Sequence, residues 1–295
     1  METHLEGDGW RCLWPVSCEL GEGPVWDAAR AVLWFVDIER PAVHRLDPAT
    51  GARFSWTPPC RIGSIGLRRA GGLIAATERG FAVIDPGRDE FQVIGHPEAS
   101  LPTNRFNDGK IDARGHFWAG SMDDRKKART GALYRLDESR AWTMVDAEYG
   151  ITNGPAFSPD GDTLYHTDTV DRITYAFDLA VDGSVSNKRV FVAWADGLGN
   201  PDGMTVDAAG YLWVAFWGGW CVRRISPGGE IVSEHPLPVG NVTSCAFGGS
   251  ELDRLFVTTA RQALDADAIE AQPLAGGLFE IMPGVRGMTG GVFAG

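Results

Sequence analysis

Thr205-Val206-Asp207-Ala208-Ala209-Gly210-Tyr211-Leu212-Trp213-Val214-Ala215 is the stretch on which the fold turns. It reads as the end of one strand, a turn built on Asp and Gly, and an aromatic-rich second strand. The unit recurs. Comparable starts lie at Val25-Trp26-Asp27, Gly66-Leu67-Arg68, Lys110-Ile111-Asp112, Ala156-Phe157-Ser158 and Ala246-Phe247-Gly248. Each is followed by a β-rich run: Leu33-Trp34-Phe35-Val36, Leu73-Ile74-Ala75-Ala76, Phe117-Trp118-Ala119, Leu164-Tyr165-His166-Thr167 and Leu255-Phe256-Val257-Thr258 in the other five copies. A third run comes next, as in Val43-His44-Arg45-Leu46 and Leu278-Phe279-Glu280-Ile281, and most copies admit a fourth, such as Arg53-Phe54-Ser55-Trp56.

Four strands repeating every ~40–50 residues are the pattern of propeller blades. The expectation is therefore an all-β chain: a six-bladed β-propeller with four-stranded blades, residues 1–295 forming a single domain. Trp34, Trp118 and Trp213 are read as packing between blades. The ring must also close, and Trp10-Arg11-Cys12-Leu13-Trp14 is the candidate outer strand of the sixth blade.

In a propeller the first strand of each blade lines the central channel, so equivalent positions share one height around the axis. Five residues before each turn stand Glu22, Gly63, Asn107, Asn153, Asp202 and Thr243. Two carboxylates and two amides thus converge where apolar groups could have filled the hole. Like charges buried together are costly unless a cation lies between them. Oxygen donors without Cys or His suit Ca²⁺, Mg²⁺ or Mn²⁺, and leave Zn²⁺ or Fe(II) with waters open. The plainer alternative is that these residues cap strand starts and bind water in a wet channel. Gly23-Pro24, Gly154-Pro155 and Gly203 follow three of the candidates and let backbone approach the axis. Arg105 is expected to enter the same mouth from a loop, to hold an anionic or polyhydroxy substrate or to pair with a rim carboxylate.

Bulk properties narrow the classes. A formal charge of −12, with no basic run beyond Arg125-Lys126-Lys127, argues against a nucleic-acid partner. No stretch reaches membrane-span length, and Met1 to Arg11 has no apolar signal core. The 5 cysteines, without a CxxC pair, read as free thiols in a reducing compartment, so a cytoplasmic location is expected. A monomer or weak oligomer is expected.

Leu20-Gly21-Glu22-Gly23-Pro24-Val25-Trp26, Asn104-Arg105-Phe106-Asn107-Asp108-Gly109-Lys110, Thr152-Asn153-Gly154-Pro155, Tyr165-His166-Thr167-Asp168-Thr169 and Pro201-Asp202-Gly203 resemble the SMP-30/gluconolactonase/regucalcin family, in order along nearly the whole chain. The resemblance implies one divalent metal ion held by Glu22, Asn153 and Asp202. It also implies that Arg105 and Asn107 bind substrate, a small-molecule sugar lactone such as glucono-, xylono- or arabinolactone. Asp202 is the candidate catalytic base for its hydrolysis. The charged loop from Asp123 to Thr130 is given no role beyond that of a solvated loop, with a lid over the mouth as the alternative.

Other mechanisms find less support. No GxSxG elbow is present. His44, His116 and His166 fall on expected strands, away from the rung, so a histidine-based lactonase lacks its dyad. A calcium-binding regulatory protein of the regucalcin type would use the same ligands, and stands as the second reading ahead of a bare interaction propeller.

Overall fold

The computed structural model describes residues 5–295. Its strands form six antiparallel sheets arranged as a six-bladed β-propeller. The innermost strands are Gly21–Asp27, Ile62–Leu67, Asn104–Ile111, Thr152–Phe157, Asn200–Val206 and Val242–Gly248. Each begins a meander of strands running outward, so blade order follows sequence order. The ring closes as the repeat requires. Trp10–Trp14 pairs antiparallel with Leu278–Ile281 and supplies the sixth blade's outer strand, with the short strand Glu6–Gly7 beyond it.

Burial falls from axis to rim. Val242–Gly248 is buried throughout, whereas Ile231–Pro236, an outer strand, alternates between exposed and half-buried. Second strands sit between neighbouring blades, which is why they carry the large rings. Trp118 and Trp213 have no exposed surface, and burial of a side chain of that size stabilises by roughly 3 kcal/mol. The six-residue helix Ala266–Ala271 interrupts the sixth blade; the Asp265 side chain caps it by accepting from the Ala268 N–H.

All six inner strands break register at one height. Between Glu22 and Val25 the inner strand advances three residues while its partner advances from Val36 to Trp34. Comparable breaks follow Phe106, Asn153 and Pro201, and shorter ones follow Ile62 and Val242. A β-bulge re-aims side chains. Here it sits at or around every position of the expected rung. Gly23 and Gly154 occupy it with φ of 54° and 79°, a left-handed conformation that glycine adopts without strain.

Candidate active site at the channel mouth

The bulges bring Glu22, Asn107, Asn153 and Asp202 together in a cavity of about 160 Å³. All four are buried. Leu20, Met122, Ile151 and Trp217 form apolar walls, and Asn200, Gln262, Thr169 and Lys126 stand nearer the rim. The cavity is small enough for a monosaccharide-sized guest.

The amides are fixed by a chain of hydrogen bonds. Asn107 Nδ2 donates to Asn153 Oδ1 at 3.1 Å and to the Thr152 carbonyl at 2.8 Å. Asn153 Nδ2 donates to Thr169 Oγ1 at 2.7 Å, and Thr169 in turn donates to the Pro201 carbonyl at 2.7 Å. With its nitrogen anchored there, Asn153 keeps its carbonyl oxygen as the donor atom available on the channel side.

Arg105 lines the cavity, but from the inner strand Asn104–Ile111 rather than from an entering loop. The extended strand begins earlier than turn residues alone indicate. Of the two roles expected for Arg105, the geometry shows the pairing with a rim carboxylate. Its Nε donates to Asp124 Oδ1 at 2.9 Å, and its Nη1 donates to Asn107 Oδ1 at 2.8 Å. Arg61 clamps the same Asp124 with bonds of 3.2 and 2.9 Å, so the arginine is held in place from behind.

The remaining rung positions brace their neighbours. A Cβ on Gly63 would lie 2.3 Å from the Asn107 carbonyl oxygen, so only glycine permits that approach. Thr243 Oγ1 donates to the carbonyl of Gly21, immediately before Glu22.

Electrostatics single out the carboxylates. Burial, then repulsion from Asp202 and Asp108, pushes the Glu22 carboxyl well up. Asp202 is likewise pushed well up by burial and by Asp108. Asp108, which spelling out the rung overlooked, is raised to about 6 by burial. Its two oxygens accept the N–H groups of Gly109 and Gly154, so it faces the backbone that carries Asn153. The motif Asn104–Lys110, which contains it, carries the signal that could have found it. Lys110, half-buried below, answers one of these charges and donates to the Met204 carbonyl at 2.6 Å. Arg105 is already engaged by Asp124. Two negative charges are left over, a balance that a divalent cation would restore.

The donor set fits such an ion. Among the described residues no three His, Cys, Asp or Glu side chains form a ligand cluster, because the third donor here is the amide oxygen of Asn153. Glu22, Asn153 and Asp202 offer hard oxygen and leave room for solvent or substrate.

The histidines lie elsewhere. His166 is fully buried on Thr163–Asp168 with neither ring nitrogen bonded, and its pKa is lowered to about 3 by burial. His44 lies on Ala42–Leu46 and bonds Ser55 through Nδ1. His116 is not on a strand: it occupies the turn before Phe117–Asp123, where Asp112 Oδ2 holds its Nδ1 at 2.9 Å and draws the residue out of the ladder.

Fold and site together define a propeller whose channel mouth gathers carboxylate and amide oxygens beside hydrogen-bonding groups. The chain belongs to the SMP-30/gluconolactonase/LRE-like family, whose model matches residues 20–261. It is 35% identical to a 6-deoxy-6-sulfogluconolactonase of Pseudomonas putida, over 94% of this chain and 95% of that protein. A pentonolactonase of Haloferax volcanii is 39% identical over 90% of this chain and 91% of its own length. The crystal structure of a calcium-binding protein, regucalcin, from Agrobacterium tumefaciens superposes with a TM-score of 0.91 at 30% identity, covering 96% of each chain. No helix among the described residues is long and apolar enough to cross a membrane.

Proposed function

We propose that the protein is a lactonase that hydrolyses a sugar lactone to its sugar acid, with one divalent metal ion held by Glu22, Asn153 and Asp202. The observation that carries this reading is the pair of buried carboxylates, Glu22 and Asp202, each driven toward protonation by burial and neither in an ion pair among the described residues, in a cavity of monosaccharide size. The lactonase relatives supply the reaction class. The described residues act as one propeller domain, and the 5 free, buried cysteines suit a reducing, cytoplasmic setting.

A lactone is a cyclic ester, so its hydrolysis passes through a tetrahedral oxyanion. When bound, the metal supplies Lewis-acid stabilisation of that developing charge. The chain's own residues do the rest. Asn107 and Arg105 line the wall where ring hydroxyls would lie and fix the attack angle. Asp202 accepts a proton from the water that adds to the carbonyl carbon. The ring C–O bond then breaks, and the proton passes to the departing alkoxide, giving the open hydroxy acid. Leu20, Met122 and Trp217 keep competing water from the wall of the site.

The test is acid release by metal-stripped protein on glucono-, xylono- and arabinolactone, each divalent ion being added back and spontaneous opening subtracted. Turnover that appears only with metal supports the reading; background rates with every ion overturn it. The similarity to calcium-binding regucalcin favours a second reading, a calcium-binding regulatory protein. Tight Ca²⁺ binding without turnover would select it.

A further inference from the structure

The loop after Phe117–Asp123 carries three consecutive cations, Arg125, Lys126 and Lys127, in a chain of net charge −12. The loop is tied down at both ends. Asp123 accepts the N–H groups of Lys127 and Ala128 on Oδ2 at 2.9 and 3.0 Å, and its carbonyl accepts the Lys126 N–H. At the far end Arg129 bonds Asp168 at 2.8 Å and Asp171, while Thr130 donates to Asn104 Oδ1 at 2.7 Å. Within this frame Lys126 has a φ of 55°, a conformation that side-chain-bearing residues rarely adopt.

Lys126 is the loop residue that lines the cavity, on the same wall system as Arg105 and Asp202. Its charge is felt at Asp202. Yet among the described residues no carboxylate forms an ion pair with it, although Arg61, Arg105 and Arg129 around the same mouth each have acidic partners. Once a divalent ion balances the carboxylates at the floor, Lys126 remains as an unmatched positive charge facing the guest. An ammonium in that position is a point donor for a negative group.

We propose that Lys126 is a specificity-determining residue that selects sugar lactones bearing an anionic substituent remote from the ring ester, a sulfonate, phosphate or carboxylate. The inference rests on the lactonase reading and names the substrate class within it. The metal-loaded protein should turn over 6-phosphoglucono-lactone and 6-deoxy-6-sulfoglucono-lactone with higher kcat/KM than glucono-lactone. Replacing Lys126→Met should lower that anionic-to-neutral ratio roughly tenfold, the lower range for a hydrogen bond to a charged group because the side chain is exposed. Lys127→Met, which removes an equal charge from the same loop outside the cavity, should leave the ratio as it is. A ratio unchanged in Lys126→Met, or lowered equally in both variants, overturns the assignment. Calorimetric binding of 6-phosphogluconate against gluconate gives the second readout: wild type should prefer the phosphate, and Lys126→Met should lose most of that preference. Because binding is read without turnover, failure of all lactones in the assay would overturn the enzymatic reading and leave Lys126 to be judged by calorimetry. The relative sizes of the phosphate and sulfonate effects identify which anion the site prefers.

Discussion

Two sets of buried carboxylates in this propeller are solved in opposite ways. In the blade hairpins each acid is matched to donors. Asp207 Oδ1 accepts the Ala209 and Tyr211 N–H groups at 2.9 and 3.0 Å, and Oδ2 accepts Trp213 Nε1 at 3.0 Å and Arg224 Nε at 2.8 Å. Asp112 repeats the arrangement with Arg114, His116 and Trp118. At the channel mouth, by contrast, Glu22 and Asp202 face one another and Asp108, and each is driven toward protonation. Folding alone has no use for that arrangement, since burying unmatched like charges costs several kcal/mol. The difference separates acids that hold the fold from acids whose burial folding alone does not explain.

The strongest way to break this comparison is Asp202→Asn. If the mouth acids serve chemistry, metal-supported turnover should fall about 10³-fold, a larger loss than Arg105→Ala produces. The metal-free protein should meanwhile melt roughly 2–4 °C higher, because one of the repelling charges is gone. A stability loss with modest kinetic change would place Asp202 in the structural set. Asp207→Ala should do the reverse. It strands Trp213 Nε1 and the Arg224 guanidinium, and should cost about 3 kcal/mol in denaturant unfolding. kcat measured well below the melting transition should stay near wild type.

The distinction was partly legible in the sequence. The turn Asp and the Trp six residues on, Asp112 with Trp118 and Asp207 with Trp213, announce the hairpin unit through turn chemistry and ring size. Blade count, ring closure by Trp10–Trp14 and the rung of Glu22, Asn107, Asn153 and Asp202 all follow from that repeat. The first blade departs from it: Trp34 lies seven residues after Asp27, and its Nε1 has no partner. What the repeat does not carry is everything that depends on chains meeting across blades. Asp108 reaches the Gly154 N–H, Thr169 anchors Asn153, and Asp124 joins Arg61 to Arg105. Lys126 belongs to the same class, since a charged loop reads as solvated until its backbone is known.

Another buried titratable group sharpens the comparison because it belongs to neither set. His166 packs edge-on against Tyr149, with ring centroids 4.8 Å apart, and has no hydrogen-bond partner. Its pKa, lowered to about 3 by burial, lies below the ~6.5 of an unfolded chain. Between those values the unfolded state binds the extra proton. The stability contributed by neutral His166 is therefore present above pH ~6.5 and declines as pH falls toward 3. At pH 5 the loss should be about 2 kcal/mol relative to neutral pH. His166→Leu should flatten that part of the pH–stability curve; a parallel curve would mean that the ring already finds a proton acceptor.

The smallest effect expected is the one that tests how the mouth is held. Thr169 Oγ1 accepts from Asn153 Nδ2 and donates to the Pro201 carbonyl, bridging the strand that bears one expected ligand to the residue before another. Thr169→Val keeps the volume and removes both bonds. The Asn153 amide is then held by Asn107 alone, and a flip would turn its NH₂ toward the cation in place of the carbonyl oxygen. Residues that orient metal ligands typically account for 10–100-fold in affinity, and with Asn107 still bonded to Asn153 Oδ1 the loss should be close to tenfold. Calorimetric titration of the divalent ion reads it directly. Unchanged affinity would show that Asn107 alone fixes the amide; a combined Thr169→Val and Asn107→Ala loss larger than the two single losses together would show that each can hold it in the other's absence.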